Sequence, residues 1–208
     1  LLCQGMVLDA NGEVMSKSKG NVVSPEDMIA RYGADTVRMA MLFMGPPEKE
    51  KLWNENSLDG IHRFLNRIWR QVYDLLGEAG EETYSEVADA AVDAAAATAA
   101  ADKLLRERHR VVGKATADIE RNQYNTAVAA IMELSNATGE FLRGTSPQWR
   151  ASDAAARDLS RDVAETIAKL IAPMSPHVAD ELWQTALGHG GSIHAQPWPA
   201  FDPALAVA

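Results

Sequence analysis

Cysteine is almost missing from this chain. Cys3 is the only one in 208 residues, which excludes an internal disulfide and a cysteine-built zinc centre and suits a reducing, cytosolic setting. Long apolar runs are missing too. The longest near-apolar stretch, Ala94 to Ala101, sits between Asp93 and Asp102 and is too short to cross a bilayer. With no charged-then-apolar leader at the start, a soluble, cytoplasmic protein is expected. Positive charge is in deficit, 20 Lys and Arg against 29 Asp and Glu, for a net charge of −9. The chain as a whole therefore repels polyanions, and any contact with nucleic acid must come from a local basic patch. No Ser/His/Asp hydrolase motif is present.

Against these absences, residues 14 to 20 stand out: Val14, Met15, Ser16, Lys17, Ser18, Lys19 and Gly20. Lysines alternating with hydroxyls and ending at a glycine suit a mobile loop that grips a polyphosphate. Lys17 and Lys19 offer compact ammonium charges, and Ser16 and Ser18 offer hydroxyl hydrogen bonds. Gly20 releases the backbone to a conformation other residues avoid. On composition alone a solvated surface loop is the stronger reading.

The rest of the pattern predicts a mainly α fold, a short strand-loop-helix segment followed by an antiparallel helical bundle. Its apolar fraction of 47% is ample for a core. Leu1 to Leu8 reads as a buried strand and Asp9 to Gly12 as the turn after it. Ser24-Pro25-Glu26-Asp27 is a helix start. Gly33 ends that helix, and Asp35 is expected to cap the next one, through Met44. Gly45-Pro46-Pro47 breaks the chain, so a first segment over 1–45, a bundle over 46–190 and a tail over 191–208 are expected.

Within the bundle, Leu58, Ile61, Phe64, Leu65, Ile68, Trp69, Val72, Leu75 and Leu76 follow helical spacing, with Arg63, Arg67 and Arg70 on the opposite face. Glu78 to Asp93 reads as part linker, part helix start. A long helix from about Ala94 to Arg121 carries Lys103, Arg106, Arg110, Lys114 and Arg121 on its outer side. Arg108 falls in the middle of that helix's apolar face, so it must snorkel or pair with an acid. Asn125 to Thr138 gives a further helix that Gly139 is expected to interrupt, with a loop over Gly144 to Ser152. Leu159–Ile171 and Pro176–Leu187 are the last two helices. Trp69 and Trp183 read as core; Trp149 and Trp198 read as loop residues acting as hydrophobic anchors rather than base-stacking platforms. His189 and His194 lack the partners of a metal centre, and no metal site is expected.

Several separated blocks, in order, carry a family resemblance. Met15 to Val23 and Tyr32-Gly33-Ala34-Asp35-Thr36-Val37-Arg38 resemble the second signature region of class I aminoacyl-tRNA synthetases. Pro46-Pro47-Glu48-Lys49, Trp53 and Gly60 to Trp69 resemble the leucyl-tRNA synthetases of bacterial type. Tyr124 to Ala127 and Ala172 to His177 through Glu181-Leu182-Trp183 are similar to that family's tRNA anticodon-binding helical domain.

The resemblance implies a parent enzyme, a monomer in the cytoplasm, that activates leucine with ATP and Mg2+ and transfers it to tRNA(Leu). It implies that Met15, Ser16, Lys17, Ser18 and Lys19 meet the ATP phosphates, with Lys17 as the catalytic lysine. Val14 stands where the family motif opens with lysine, which puts only an auxiliary charge in doubt. It also makes Arg63, Arg67, Arg70, Lys103, Arg106, Arg110 and Lys114 candidates for the tRNA backbone, against the plain reading that they are solvated helix faces. The family's first signature and its nucleotide-binding sheet are absent, so the chain reads as an excised segment that binds no cofactor and is inactive alone. Two alternatives stand beside this one: a sister isoleucyl, valyl or methionyl synthetase, and a non-catalytic helical RNA-binding module.

Overall fold

The computed structural model describes residues 3–77 and 93–206. All but Asp93 of the acidic stretch from Glu78 lies outside the described residues, as do Leu1 and Leu2. The expected buried strand is much shorter than Leu1 to Leu8. Strand β1 is Val7–Leu8 and pairs in parallel with β2, Lys51–Leu52, while Leu8 also bridges Val14. Gly5 seals this small unit. Its N–H donates to the Pro47 carbonyl at 2.9 Å, and a Cβ there would lie 2.1 Å from the Lys49 carbonyl oxygen, so only glycine fits. Residues 46–52 thus fold back onto the N-terminal segment.

Helix α1, Pro25–Tyr32, starts as expected: the Ser24 hydroxyl accepts from the Asp27 N–H and Pro25 occupies the first turn. Helix α2, Ala34–Phe43, corrects an expectation. Gly33, at φ +82°, is its N-terminal flank, and Asp35 is a buried first-turn residue that leaves its own helix uncapped. Helix α3, Glu55–Leu75, is capped by Asn54 and buries Leu58, Ile61, Phe64, Leu65, Ile68, Val72 and Leu75. The periodic stripe therefore lies inward, with Trp69 and Leu76 partly buried against it.

Asp93 caps α4, Ala94–Glu120, through the Ala95 and Ala96 N–H groups. A turn at Asn122, whose φ is +58°, leads into α5, Tyr124–Gly144, and these two helices form the most extensive pairing of the bundle. Gly139 does not interrupt α5. It is buried where α5 approaches Gln71 of α3, and a Cβ there would stand 3.1 Å from the Gln71 amide nitrogen. A mid-helix glycine costs about 1 kcal/mol of propensity, which packing of this kind overrides.

The expected loop over Gly144 to Ser152 is likewise replaced by a short helix, α6, Pro147–Ser152, capped by Ser146 with proline in its first turn. Trp149 accordingly lies on a helix and packs against the core. Helix α7, Ala154–Ile171, begins five residues before the expected Leu159, because Asp153 caps it. Helix α8, Pro176–Glu181, runs into a wider, π-type turn over Leu182–Ala186. Helix α7 packs on α3, α4, α5 and α6, and α2 packs on α3 and α5.

Two buried arginines hold this packing. Arg108 resolves the anomaly in the α4 stripe by pairing with an acid. Its guanidinium lies 2.8 Å from Asp162, donates to Thr166 at 3.2 Å, and also donates to the Ala200 carbonyl of the tail. That tail wraps along α4: the Trp198 indole N–H donates to Thr116 at 2.8 Å, the Asp202 N–H donates to His109 at 3.0 Å, and Phe201 covers Gly113.

Arg150 of α6 is 3% exposed and meets Asp74 of α3, 1% exposed, at 3.2 Å, with its other donors on the Thr145 carbonyl and hydroxyl at 2.9 Å. Removing one member of such a pair strands a buried charge. Asp74→Ala should therefore destabilise the protein by about 3–5 kcal/mol in urea unfolding. A loss under about 1 kcal/mol, the range of an exposed pair, would mean that the pair contributes nothing special.

Candidate functional site

The signature loop hangs between two fixed points. Asp9, just after β1, accepts through one carboxylate oxygen from the Asn11 and Glu13 N–H groups, each at 2.9 Å. Its other oxygen accepts from the Asn21 side-chain amide at 2.9 Å. Asn21 in turn accepts from the Ser16 N–H at 2.9 Å and donates to the Val14 carbonyl. The hydrogen bond from Asn21, followed by that from the Glu13 backbone, holds the Asp9 carboxyl below its usual range. Between these anchors, Lys17–Lys19 forms one tight helical turn that Gly20 closes at φ +68°.

The loop's side chains are not equivalent. Met15 and Ser16 are half-buried, while Lys17, Ser18 and Lys19 are exposed. The Lys19 ammonium lies 3.1 Å from Glu13, and the Ser16 and Ser18 hydroxyls face each other at 3.2 Å. Lys17 makes no side-chain hydrogen bond or ion pair among the described residues. One ammonium is thus presented to solvent on a short, pinned loop. Asp9 and Asn21 are the residues that sequence reasoning missed. The Asp9-to-Gly12 turn and the Asn21 that follows Gly20 were visible, but nothing local says that positions twelve apart would bond.

The two arginine-rich faces differ sharply. On α4, Lys103 pairs with Glu140 at 2.7 Å, Lys114 with Asp118 at 2.8 Å, and Arg121 with Asp118 at 3.0 Å. Arg110 bridges Glu107 and Glu133, which push its guanidinium above its ordinary value. Burial acts to raise the Asp118 carboxyl, yet hydrogen bonds from Lys114, Thr126 and Arg121 outweigh it and hold the group below its usual range. Arg106 alone on that face has no such partner among the described residues.

On α3, Arg63 and Arg67 are more available. Arg63 is exposed and has no partner among the described residues, and Arg67 lies 5.5 Å from the Phe64 ring centre. Both line an open groove of about 990 Å³ with Arg70, Asn66 and Trp69 of α3, Phe43 of α2 and Met132 of α5. Among the described residues no carboxylate lines it. The two histidines are not brought together in this way: His189 bonds Glu165 at 2.8 Å and stacks on Trp183 at 3.9 Å, while His194 is exposed.

Comparison with known proteins gives this architecture its class. Residues 101–207 match the family model for the anticodon-binding domain of tRNA ligases, and residues 1–53 match the model for class I tRNA synthetases (I, L, M and V). The chain belongs to the anticodon-binding-domain family of tRNA ligases, with a class I tRNA synthetase match over residues 1–53.

Within that class its similarity is to the leucine enzymes. It is 44% identical to a leucine–tRNA ligase of Geobacter sp. (strain M21) over 100% of the chain, and 42% identical to that of Synechococcus sp. (strain JA-2-3B'a(2-13)) over 98%. It spans 23% and 22% of those two proteins. The crystal structure of a ternary complex of an Agrobacterium radiobacter K84 LeuRS with tRNA and LeuAMS matches 99% of the chain and 24% of its own, with a TM-score of 0.75 at 29% identity. The resemblance carried by the Pro46-to-Trp69 block agrees with these leucine-enzyme relatives.

The pinned loop makes a direct prediction. Asp9→Ala should free the Ser16-to-Asn21 turn, so that trypsin cuts after Lys17 several-fold faster with little change in global stability. Unchanged cleavage would mean that Asp9 does not hold the loop. The folded Asp9 value lies below the unfolded one, so its contribution is full above about pH 4 and is lost only as pH falls through the lowered value. Loop protection in the wild type should accordingly be flat from about pH 6 to 9.

Proposed function

We propose that this chain is the signature-loop and tRNA-binding portion of a leucine–tRNA ligase. The observation that carries the reading is Lys17, the unpaired ammonium on a loop pinned by Asp9 and Asn21. In the whole enzyme the leucine carboxylate attacks the α-phosphate of ATP, giving leucyl-adenylate and pyrophosphate. A hydroxyl at the tRNA 3′ end then takes the leucyl group and releases AMP. Negative charge grows on the departing pyrophosphate, and Lys17 meets it there, which lowers the barrier more than it tightens ground-state binding. Met15 seats the loop, the Ser16 and Ser18 hydroxyls face the phosphates, and Lys19 keeps partial hold on Glu13. Mg2+ accompanies the ATP, and the enzyme acts as a cytoplasmic monomer.

tRNA(Leu) lies on the α3 groove, held by Arg63, Arg67 and Arg70 through its phosphates. Such contacts position the RNA without reading its sequence. Lys103, Arg110 and Lys114 of α4 serve chiefly as ion-pair partners within the bundle, leaving Arg106 as that helix's one candidate contact. The chain spans under a quarter of its relatives. On this reading the remainder supplies the pockets for adenosine and leucine, so the chain by itself gives no leucine-dependent pyrophosphate exchange.

Two substitutions in the full-length ligase test these roles. Lys17→Ala should lower kcat for pyrophosphate exchange by about 100-fold while leaving the leucine KM nearly unchanged. An unaffected kcat would remove Lys17 from the chemistry. Replacing Arg63, Arg67 and Arg70 together with glutamine should weaken tRNA binding and flatten its salt dependence, by about 0.9 in log–log slope for each duplex phosphate no longer neutralised. Unchanged affinity and slope would take the groove out of tRNA recognition.

A further inference from the structure

The groove on α3 does not end at Arg67. On the far side of that residue lies a second recess of about 400 Å³ between α3 and α5, lined by Arg67, Gln71, Ser135, Asn136, Gly139, Glu140 and Arg143. Arg67 lines both recesses, so they adjoin at its guanidinium. The floor is rigid: the Gln71 amide donates to the Ser135 carbonyl at 2.8 Å, and the Ser135 hydroxyl donates back to Gln71 at 2.7 Å, both buried. Gly139 keeps the middle open, because a Cβ there would lie 3.1 Å from Gln71 and 3.3 Å from Arg143.

Three observations define what this recess accepts. Among the described residues the Arg67 Nε–H is buried without an acceptor, so the hydrogen-bonding capacity of that side chain is not used up within the bundle. Arg143 is exposed and makes no side-chain hydrogen bond or ion pair among the described residues. Among the described residues the recess has a single carboxylate, Glu140, which Lys103 holds at 2.7 Å and whose charge Arg143 also stabilises from a distance. The crevice is therefore positive in a chain whose net charge is −9.

We propose that the α3–α5 crevice is a phosphodiester-binding site, with Arg143 as a further tRNA-positioning residue opposite Arg67. The inference rests on the tRNA reading of Arg63, Arg67 and Arg70 and extends it to a second helix. Along α3, at about 1.5 Å per residue, Arg63 to Arg70 spans about 10 Å. That is long enough to meet more than one phosphate of a strand. Arg143 adds a donor fork from across the crevice, so that one phosphate is clasped between two helices. The Arg67 and Arg143 guanidinium groups supply charge-assisted hydrogen bonds to its oxygens, and the Asn136 amide can add a neutral one. Because only backbone is gripped, cognate and non-cognate tRNAs should be held alike here.

The test uses the full-length ligase with tRNA(Leu) and a non-cognate tRNA across a salt series. Arg143→Gln should raise Kd for both several-fold and reduce the log–log salt slope by about 0.9. Arg143→Lys should restore the slope, since charge rather than shape sets counterion release. Pyrophosphate exchange without tRNA should be unchanged in both, which reports an intact fold and active site. If the Arg63/Arg67/Arg70 variant loses tRNA affinity while Arg143→Gln keeps both Kd and slope, the crevice is overturned and the groove reading stands. If neither variant moves Kd or slope, both readings fall. A loss confined to the cognate tRNA would also overturn a phosphate site, because it would mean base readout.

Discussion

A carboxylate taken out of water must have its lone pairs answered, and Asp35 does this across the junction of the two parts of the molecule. From the first turn of α2 its side chain accepts from the Val178 N–H at 2.7 Å with one oxygen and bonds the His177 ring at 2.7 Å with the other. It thereby serves as the N-terminal cap of α8, a helix distant in sequence, where negative charge suits the helix dipole. Ser175 reaches back to the Asp35 carbonyl, and Arg38, one turn along α2, donates to the Pro173 and Met174 carbonyls at 3.3 Å. The Ala172-to-His177 motif is thus an attachment point for α2. Without Asp35, α8 would lose its cap, and the signature-loop unit would lose one polar tie to the bundle beside the packing of α2 on α3 and α5. This contact and the packing of α2 on α3 and α5 together set how the signature-loop unit sits against the groove.

The same logic of satisfied polar groups recurs inside the bundle. Arg108 and Arg150 lie where an apolar side chain would be expected, and each joins elements that hydrophobic packing alone would leave free to slide. Arg108 fixes α4, α7 and the tail, and Arg150 fixes α3, α6 and the end of α5. Buried ion pairs of this kind add little net stability over a well-packed apolar core. What they add here is position, since the donors of a planar guanidinium fit only one arrangement of partners.

Much of this architecture is legible in the sequence. The α3 stripe, the Ser24-Pro25 helix start, the misplaced Arg108 and the signature loop all follow from spacing or local chemistry. Two of the errors share one cause, which is that a local rule met a distant partner. Gly139 reads as a breaker until Gln71 is brought against it, and Asp35 reads as a cap for its own helix until α8 arrives. The loop assigned to Gly144–Ser152 is a different kind of miss. Ser146-Pro147 repeats the Ser24-Pro25 start signal, and only the glycine before it argued for a loop. The Asp9–Asn21 clamp could not be read at all, because twelve residues separate two polar side chains with no periodicity to connect them.

How an acidic chain can carry a positive surface follows from where its carboxylates go. On α4 they are neighbours of the lysines and arginines, at spacings of three or four along the helix or across on α5, and they cancel the positive face. On the α3 side no carboxylate among the described residues lines the groove, and the adjoining crevice has one that is already paired. Two helices with similar runs of basic residues thus carry different local charge, and counting arginines along the sequence could not separate them. Net charge sets long-range repulsion, which falls away over about 8–10 Å of salt solution. Inside that distance Arg63 and Arg67 of α3 govern the field, so an overall charge of −9 coexists with a locally positive surface.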